Sequence, residues 1–302
     1  VQVVLKTPVP TSWTIADALA GTFADPDEFR DWLAALARKK NLILQGPPGV
    51  GKTFLARRLA YARIGAADPS RVTAVQFHPS YAYEDFVQGY RPAETGGFTR
   101  RDGVFFEFCR RAVDDPHRDY VFLIDEINRG NLSKVFGELF ALIEADKRGE
   151  THALPLTYAR HAGETFFVPN NLYLIGMMNT ADRSLALVDY ALRRRFAYVE
   201  LRPAFDRPAF GNFLATAGVE AAVIDVIVSR MSRLNTIIRS ESASLGPGFE
   251  IGHSFFCPTG TEGRWGMNWY RAVITTEIAP LLREYWFDDA AKAEELIADL
   301  LR

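Results

Sequence analysis

Asn41-Leu42-Ile43-Leu44-Gln45-Gly46-Pro47-Pro48-Gly49-Val50-Gly51-Lys52-Thr53-Phe54-Leu55-Ala56 is the stretch that decides the fold. A short apolar run enters a glycine- and proline-rich turn, and a helical pattern starts at Lys52. Gly46, Pro47, Pro48, Gly49, Val50, Gly51, Lys52 and Thr53 fit GxxxxGK[ST] without a mismatch. The strand–loop–helix context is the one that gives this motif its meaning. Glycines let the backbone curl until successive N–H groups converge on an anion, and the start of a helix adds the positive end of its dipole. Lys52 is placed to neutralise the β- and γ-phosphates of a nucleoside triphosphate, and Thr53 to bind Mg²⁺ through its hydroxyl.

Working outward, residues 72–77, 120–124, 171–178 and 196–201 join 41–45 as short apolar runs. They read as strands buried on both faces. Helical patterns at 52–64, 103–113 and 133–146 lie between them. The last carries Val135, Phe136, Leu139, Phe140, Leu142 and Ile143 on one face. This alternation predicts an α/β fold with a doubly wound parallel sheet. Two short helices, 14–20 and 26–37, lead into the first strand. After Pro203 the patterns are helical, at 221–238, 268–286 and 288–301. Pro280 is expected to kink or split the middle one, and 245–251 (LGPGFEI) reads as a turn. The expected organisation is a lead-in over 1–40, a large nucleotide-binding domain over 41–203 and a smaller helical lid over 204–302. Residues 151–158 and 164–168 read as an inserted β-hairpin, whose plain reading is a solvated surface feature.

The bulk composition is that of a folded globular chain: 302 residues, 48% hydrophobic and 24% charged. A net charge of −2 supplies no global basic field toward nucleic acid or membrane. No apolar run approaches the roughly 18 residues of a membrane span. Lys6 and several prolines interrupt any signal-peptide pattern. Cys109 and Cys257 form no CxxC, which fits reduced thiols in a cytoplasmic protein. The five histidines have no zinc spacing.

Five further features are candidates for chemistry. Val121-Phe122-Leu123-Ile124-Asp125-Glu126 is a strand ending in two carboxylates. Beside a phosphate loop, Asp125 is expected in the Mg²⁺ shell and Glu126 as the base that polarises the attacking water. Asn179 ends the 172–178 strand, where its amide can sit between that water and the γ-phosphate; a turn-forming role is the alternative. Arg193, Arg194 and Arg195 precede the last strand. They read either as an arginine finger into a neighbouring subunit, which needs a ring, or as surface ion pairs. Tyr81, Tyr83 and Phe86 are open between a substrate-touching pore loop and ordinary packing. His253 is open between nucleotide sensing and a structural role.

Taken together, GPPGVGKT, IDEINRGNLSKVFGEL (124–139), MNTADRSLALVDYALRRRF (178–196) and IGHSFF (251–256) resemble the McrB family of AAA+ proteins. These are the motor subunits of McrBC-type modification-dependent restriction systems, and the resemblance runs from about residue 41 past 286. It implies an AAA+ P-loop NTPase fold with a helical lid, and GTP in preference to ATP, with Mg²⁺. It implies a homo-oligomeric ring, a hexamer, and an McrC-like endonuclease partner. It also implies hydrolysis coupled to translocation along DNA. By the same resemblance Asn179, Asp182 and Arg183 belong to the hydrolytic motif, and Arg194 and Arg195 are the functional arginines. Arg129 is a further candidate for the subunit interface. The family's separate DNA-recognition domain does not fit in the 40 residues before the first strand, so reading of the modified base is not expected here. Two other readings compete: a MoxR-like AAA+ ATPase that remodels protein complexes, and a slow nucleotide-gated scaffold.

Overall fold

The computed structural model describes residues 11–94, 96–161, 163–181, 190–241, 245–258 and 265–302. Five strands form one parallel sheet: β1 (Asn41–Gly46), β2 (Val72–Gln76), β3 (Tyr120–Asp125), β4 (Leu172–Asn179) and β5 (Ala197–Glu200). Their spatial order is β5-β1-β4-β3-β2. All five runs read from the sequence are therefore strands of one sheet. β4 lies between β1 and β3, with Asn179 in register with Gly46 and Gly176 with both Ile43 and Ile124.

Alternation along the strands explains their continuous apolar composition. Ile43, Phe122, Ile124, Leu172 and Leu174 face one way, onto Phe86, Phe105, Phe108 and Phe136. Leu42, Leu44, Val121, Leu123 and Ile175 face the other way, onto Phe29, Leu36, Leu55 and Leu59. The second face is covered by α1 (Pro26–Lys39) and α2 (Lys52–Ile64). α1 starts at a capping box, Asp25 with Glu28, and has Pro26 in its first turn. α3 (Val104–Val113) covers the first face.

The expected helix over 133–146 is broken. Leu132–Phe136 and Leu139–Leu142 are separate helices, split at Gly137 with φ +51°. A Cβ at Gly137 would meet the Tyr83 ring at 2.9 Å, so close packing of Tyr83 sets the break. The inserted hairpin forms, as Leu154–Pro155 against Thr165–Phe166. A second hairpin, Gln88–Pro92 against Phe98–Asp102, was not legible in the polar sequence between Tyr90 and Asp102. Arg100 joins the two, pairing with Glu164 at 3.0 Å and donating to the Tyr158 carbonyl at 2.9 Å.

Beyond β5, α4 (Tyr190–Arg195) having preceded it, the chain builds a helical unit with its own core. Its helices are α5 (Pro208–Thr216), α6 (Ala221–Ser240), a long helix from Met267 to Tyr285, and a last helix, Ala290–Leu301. Phe210, Ile227, Met231, Phe256, Tyr270, Ile274 and Leu282 meet at its centre. Pro280 does not split the long helix; a π-helical segment, Ile274–Ile278, precedes it. Proline has no N–H and its ring crowds the carbonyl four residues back, and a widened turn relieves both. No described helix is long and apolar enough to cross a membrane.

Candidate nucleotide site

The carboxyl ends of β1, β3 and β4 bring the sequence-predicted residues to one edge. β1 ends in the phosphate loop, with Gly49 at φ +78° and Gly51 at φ +76°. α2 begins at Lys52 with its first amides aimed at the loop mouth. Lys52 Nζ donates to the carbonyls of Gly46 and Pro47, both at 2.9 Å. The ammonium is thus folded over the loop that it is expected to share with phosphate. Thr53 Oγ1 lies 3.5 Å from Asp125 Oδ2. A hydroxyl and a carboxylate facing each other at this spacing are hard oxygen donors of the type Mg²⁺ takes, beside phosphate oxygens and water.

Glu126 follows β3 in the left-handed region, φ 51° and ψ 44°. A non-glycine residue there is uncommon and is held by its surroundings. Its carboxylate is gripped twice. Asn179 Nδ2 donates to Oε1 at 2.6 Å, and Arg129 Nε pairs with Oε2 at 3.2 Å. The backbone twist turns the side chain from the strand direction toward Asn179. Asp125 stays on the strand, where its Oδ1 accepts the Glu126 N–H at 3.0 Å. Asn179 is therefore tied to the Glu126 carboxylate. Arg129, a sequence candidate for a subunit contact, lies against its own protomer's Glu126. Asp182 and Arg183 lie outside the described residues.

The arginines sit elsewhere. α4 ends before β5 begins, at the amino edge of the sheet, and Asn41 Nδ2 at the start of β1 donates to the Arg195 carbonyl at 3.0 Å. β1 separates this end from the phosphate loop by about 17 Å, at roughly 3.3 Å per residue. Arg194 pairs with Glu144 at 2.9 Å and its side chain is 74% exposed. Arg195 pairs with the same Glu144 at 3.0 Å but is 14% exposed, and its guanidinium lies 4.2 Å from the Phe140 ring centre. Neither joins the loop residues within one protomer.

Of the open aromatic readings, packing holds. Phe86 is fully buried and stacked on Phe105 at 4.7 Å; Tyr81 stacks on Phe77 at 4.8 Å. Tyr83 donates to Glu138 at 2.7 Å. Burial and the Glu138 carboxylate push its phenol pKa above the usual range.

Apart from Val50 and His253, the wall of the site was not legible in the sequence. A cavity of about 820 Å³ opens beside the loop, between Phe23, Trp32, Val50, Phe54, Arg207 and His253. At its rim Arg207 forms a fork with Glu28, at 2.7 and 3.0 Å, and donates to the Phe23 carbonyl at 3.1 Å. The Arg207 hydrogen bonds hold the Glu28 carboxyl below its ordinary range. These residues come from the lead-in, the loop helix and the helical unit, so no local pattern could have joined them. The apolar walls with a few polar groups suit a nucleoside.

The chain matches the AAA domain (dynein-related subfamily) over residues 41–196, and the McrB alpha-helical lid domain over residues 226–294. The Type IV methyl-directed restriction enzyme EcoKMcrB subunit of Escherichia coli (strain K12) is 52% identical to it over 291 residues, 96% of this chain and 63% of that protein. The Type II restriction enzyme BsuMI component YdiS of Bacillus subtilis (strain 168) is 30% identical over 200 residues, 54% of this chain and 57% of its own. The chain spans less than two thirds of the length of either curated relative. Among solved structures, NtrX from Brucella abortus aligns over 92% of this chain and 66% of its own at 12% identity, with a TM-score of 0.43, too distant to carry weight. With the first match spanning half its length and a McrB-type lid behind it, the chain belongs to the AAA domain family (dynein-related subfamily), as a P-loop NTPase of the McrB-like branch.

Proposed function

We propose that this chain is the motor of a McrBC-type restriction machine. It binds and hydrolyses a nucleoside triphosphate with Mg²⁺, GTP in preference to ATP, as one subunit of a hexameric ring in the cytoplasm. Hydrolysis drives movement along DNA and activates an McrC-like endonuclease. The observation that carries the hydrolytic part is the Asn179–Glu126 contact at 2.6 Å beside the Thr53–Asp125 pair. The E. coli relative is named for methyl-directed restriction, which supports modified DNA as the eventual target. The preference for GTP and the ring rest on resemblance.

The chain's own groups divide the work. Lys52 exchanges the Gly46 and Pro47 carbonyls for phosphate oxygens, while the loop amides receive the rest of the anion. Thr53 and Asp125 would hold Mg²⁺, which neutralises charge building on the phosphates. Glu126 takes a proton from the attacking water, and Asn179 aims the carboxylate that does so. Arg129 holds the other carboxylate oxygen. Among the described residues Arg194 and Arg195 stand at the opposite sheet edge, which supports a second cation for the transition state from outside the protomer. That separation favours a finger acting in trans, and with it the ring.

Binding and turnover of GTP and ATP, measured side by side with and without an McrC-like partner, test the reading. GTP turnover that the partner stimulates is expected. A strong ATP preference with no response to the partner would favour the MoxR-like alternative.

A further inference from the structure

The helical unit reaches the phosphate loop through a short strap, Gly252-His253-Ser254-Phe255, part of the IGHSFF string. The Gly252 N–H donates to the Pro48 carbonyl at 3.1 Å, and the Ser254 N–H to the Gly49 carbonyl at 2.9 Å. A Cβ on Gly252 would lie 2.0 Å from the Gly49 carbonyl carbon. Strap and loop therefore touch backbone to backbone, which only glycine allows at this point.

His253 sits between those two bonds, 8% exposed. Its Nδ1 is 3.0 Å from the Ala204 backbone nitrogen. A backbone N–H can only donate, so Nδ1 is the acceptor and the ring proton resides on Nε2. Burial and the nearby Arg207 charge push the imidazole down to about 4, so the ring is neutral near pH 7. The edge contacts with Phe23, at 4.9 Å, and Phe210, at 6.0 Å, fix its plane. Nε2 faces the loop: a Cβ on Gly51 would stand 3.9 Å from it. Both His253 and Gly51 line the cavity beside the loop. Among the described residues no acceptor is bonded to Nε2. A buried, oriented donor facing a cavity calls for an acceptor from a ligand.

We propose that His253 contacts the nucleotide, donating from Nε2 to an oxygen of its ribose. This rests on the phosphate-loop reading above. Lys52 and the loop amides take the outer phosphates. The apolar cavity beyond Gly51 takes the base, and the junction between them lies in front of His253. Through the two strap bonds, the same residue makes the seating of the lid on Pro48 and Gly49 depend on the nucleoside end of the ligand.

The test is equilibrium binding of ADP, GDP and inorganic tripolyphosphate to the full chain and two variants. His253→Asn keeps an acceptor for the Ala204 N–H and loses the Nε2 donor. It should weaken whichever of ADP and GDP the protein binds by about 5–10-fold, the worth of one neutral hydrogen bond. Tripolyphosphate has no ribose and should bind as to wild type. His253→Gln returns a donor near the Nε2 position and should recover most of the loss. Wild-type nucleotide affinity in His253→Asn would overturn the proposal. Equal weakening of tripolyphosphate would also overturn it, because the strap would then be acting on loop shape alone. Wild-type protein that bound none of the three ligands would instead bring down the phosphate-loop reading, and this inference with it.

Discussion

The two edges of the central sheet are built in opposite ways. At the carboxyl edge, three neighbouring strands end in groups that converge: the loop with Lys52 and Thr53, Asp125 with Glu126, and Asn179. Each is held by contacts within that edge, down to the 2.6 Å Asn179–Glu126 bond. At the amino edge, the arginines are tethered away from any shared point. Lys39 Nζ donates to the Arg194 carbonyl at 2.7 Å, Asn41 to that of Arg195, and Glu144 holds both guanidinium groups. One edge has the geometry of a site that closes on itself. The other presents a cation, Arg194, to whatever lies outside. On the proposed function, the described residues of the carboxyl edge supply the binder and the base, and a neighbouring copy would supply a second cation.

Perturbing each edge should separate these roles, and the largest effect belongs to the loop. Lys52→Ala removes two charge-assisted contacts and should cost about 100-fold or more in nucleotide affinity by titration; unchanged affinity would break the assignment of the carboxyl edge. Glu126→Gln should bind as wild type while turnover falls about 100- to 10,000-fold, since only the base is lost. At the amino edge the two arginines should part company. Arg194→Ala should lower turnover with the melting temperature unchanged, and be rescued in mixed rings by Glu126→Gln subunits that keep Arg194. Arg195→Ala removes a largely buried cation stacked on Phe140, and should lower stability by roughly 1–3 kcal/mol as well. No rescue at any mixing ratio would argue against a finger in trans.

The smallest effect is a pH signature of the lid seam. His253 has its pKa lowered from 6.5 to about 4 by burial and the Arg207 charge. The unfolded chain therefore takes up the proton first as pH falls. The contribution is fully present above about pH 6.5 and is lost between there and about pH 4. The melting temperature of His253→Phe, which cannot titrate, should fall less steeply than that of wild type across this window.

Much of the carboxyl edge was legible in the residues because it is local. The phosphate loop is eight consecutive positions, and Asp125 and Glu126 end one apolar run. Each strand declared itself by continuous apolar composition, since both faces are buried. The hairpin at Gln88–Asp102 was not legible: its faces are polar, and no apolar alternation marks it. The broken helix at Gly137 was also hidden, because the cause is the Tyr83 ring from a segment 54 positions away. Arg207, Glu28 and Phe23 escaped for the same reason: they meet only when the lead-in and the helical unit fold against the loop.

The amino-acid sequence by itself determined that a triphosphate cradle, a carboxylate pair and a helical lid exist, because backbone curl and strand burial are written in short runs. Tertiary structure alone decided which groups meet. It tied Asn179 to Glu126, set the arginines at the far end of β1, and turned a buried histidine toward the loop. Those are distances between segments remote in the chain, and they exist only once the sheet and lid have packed.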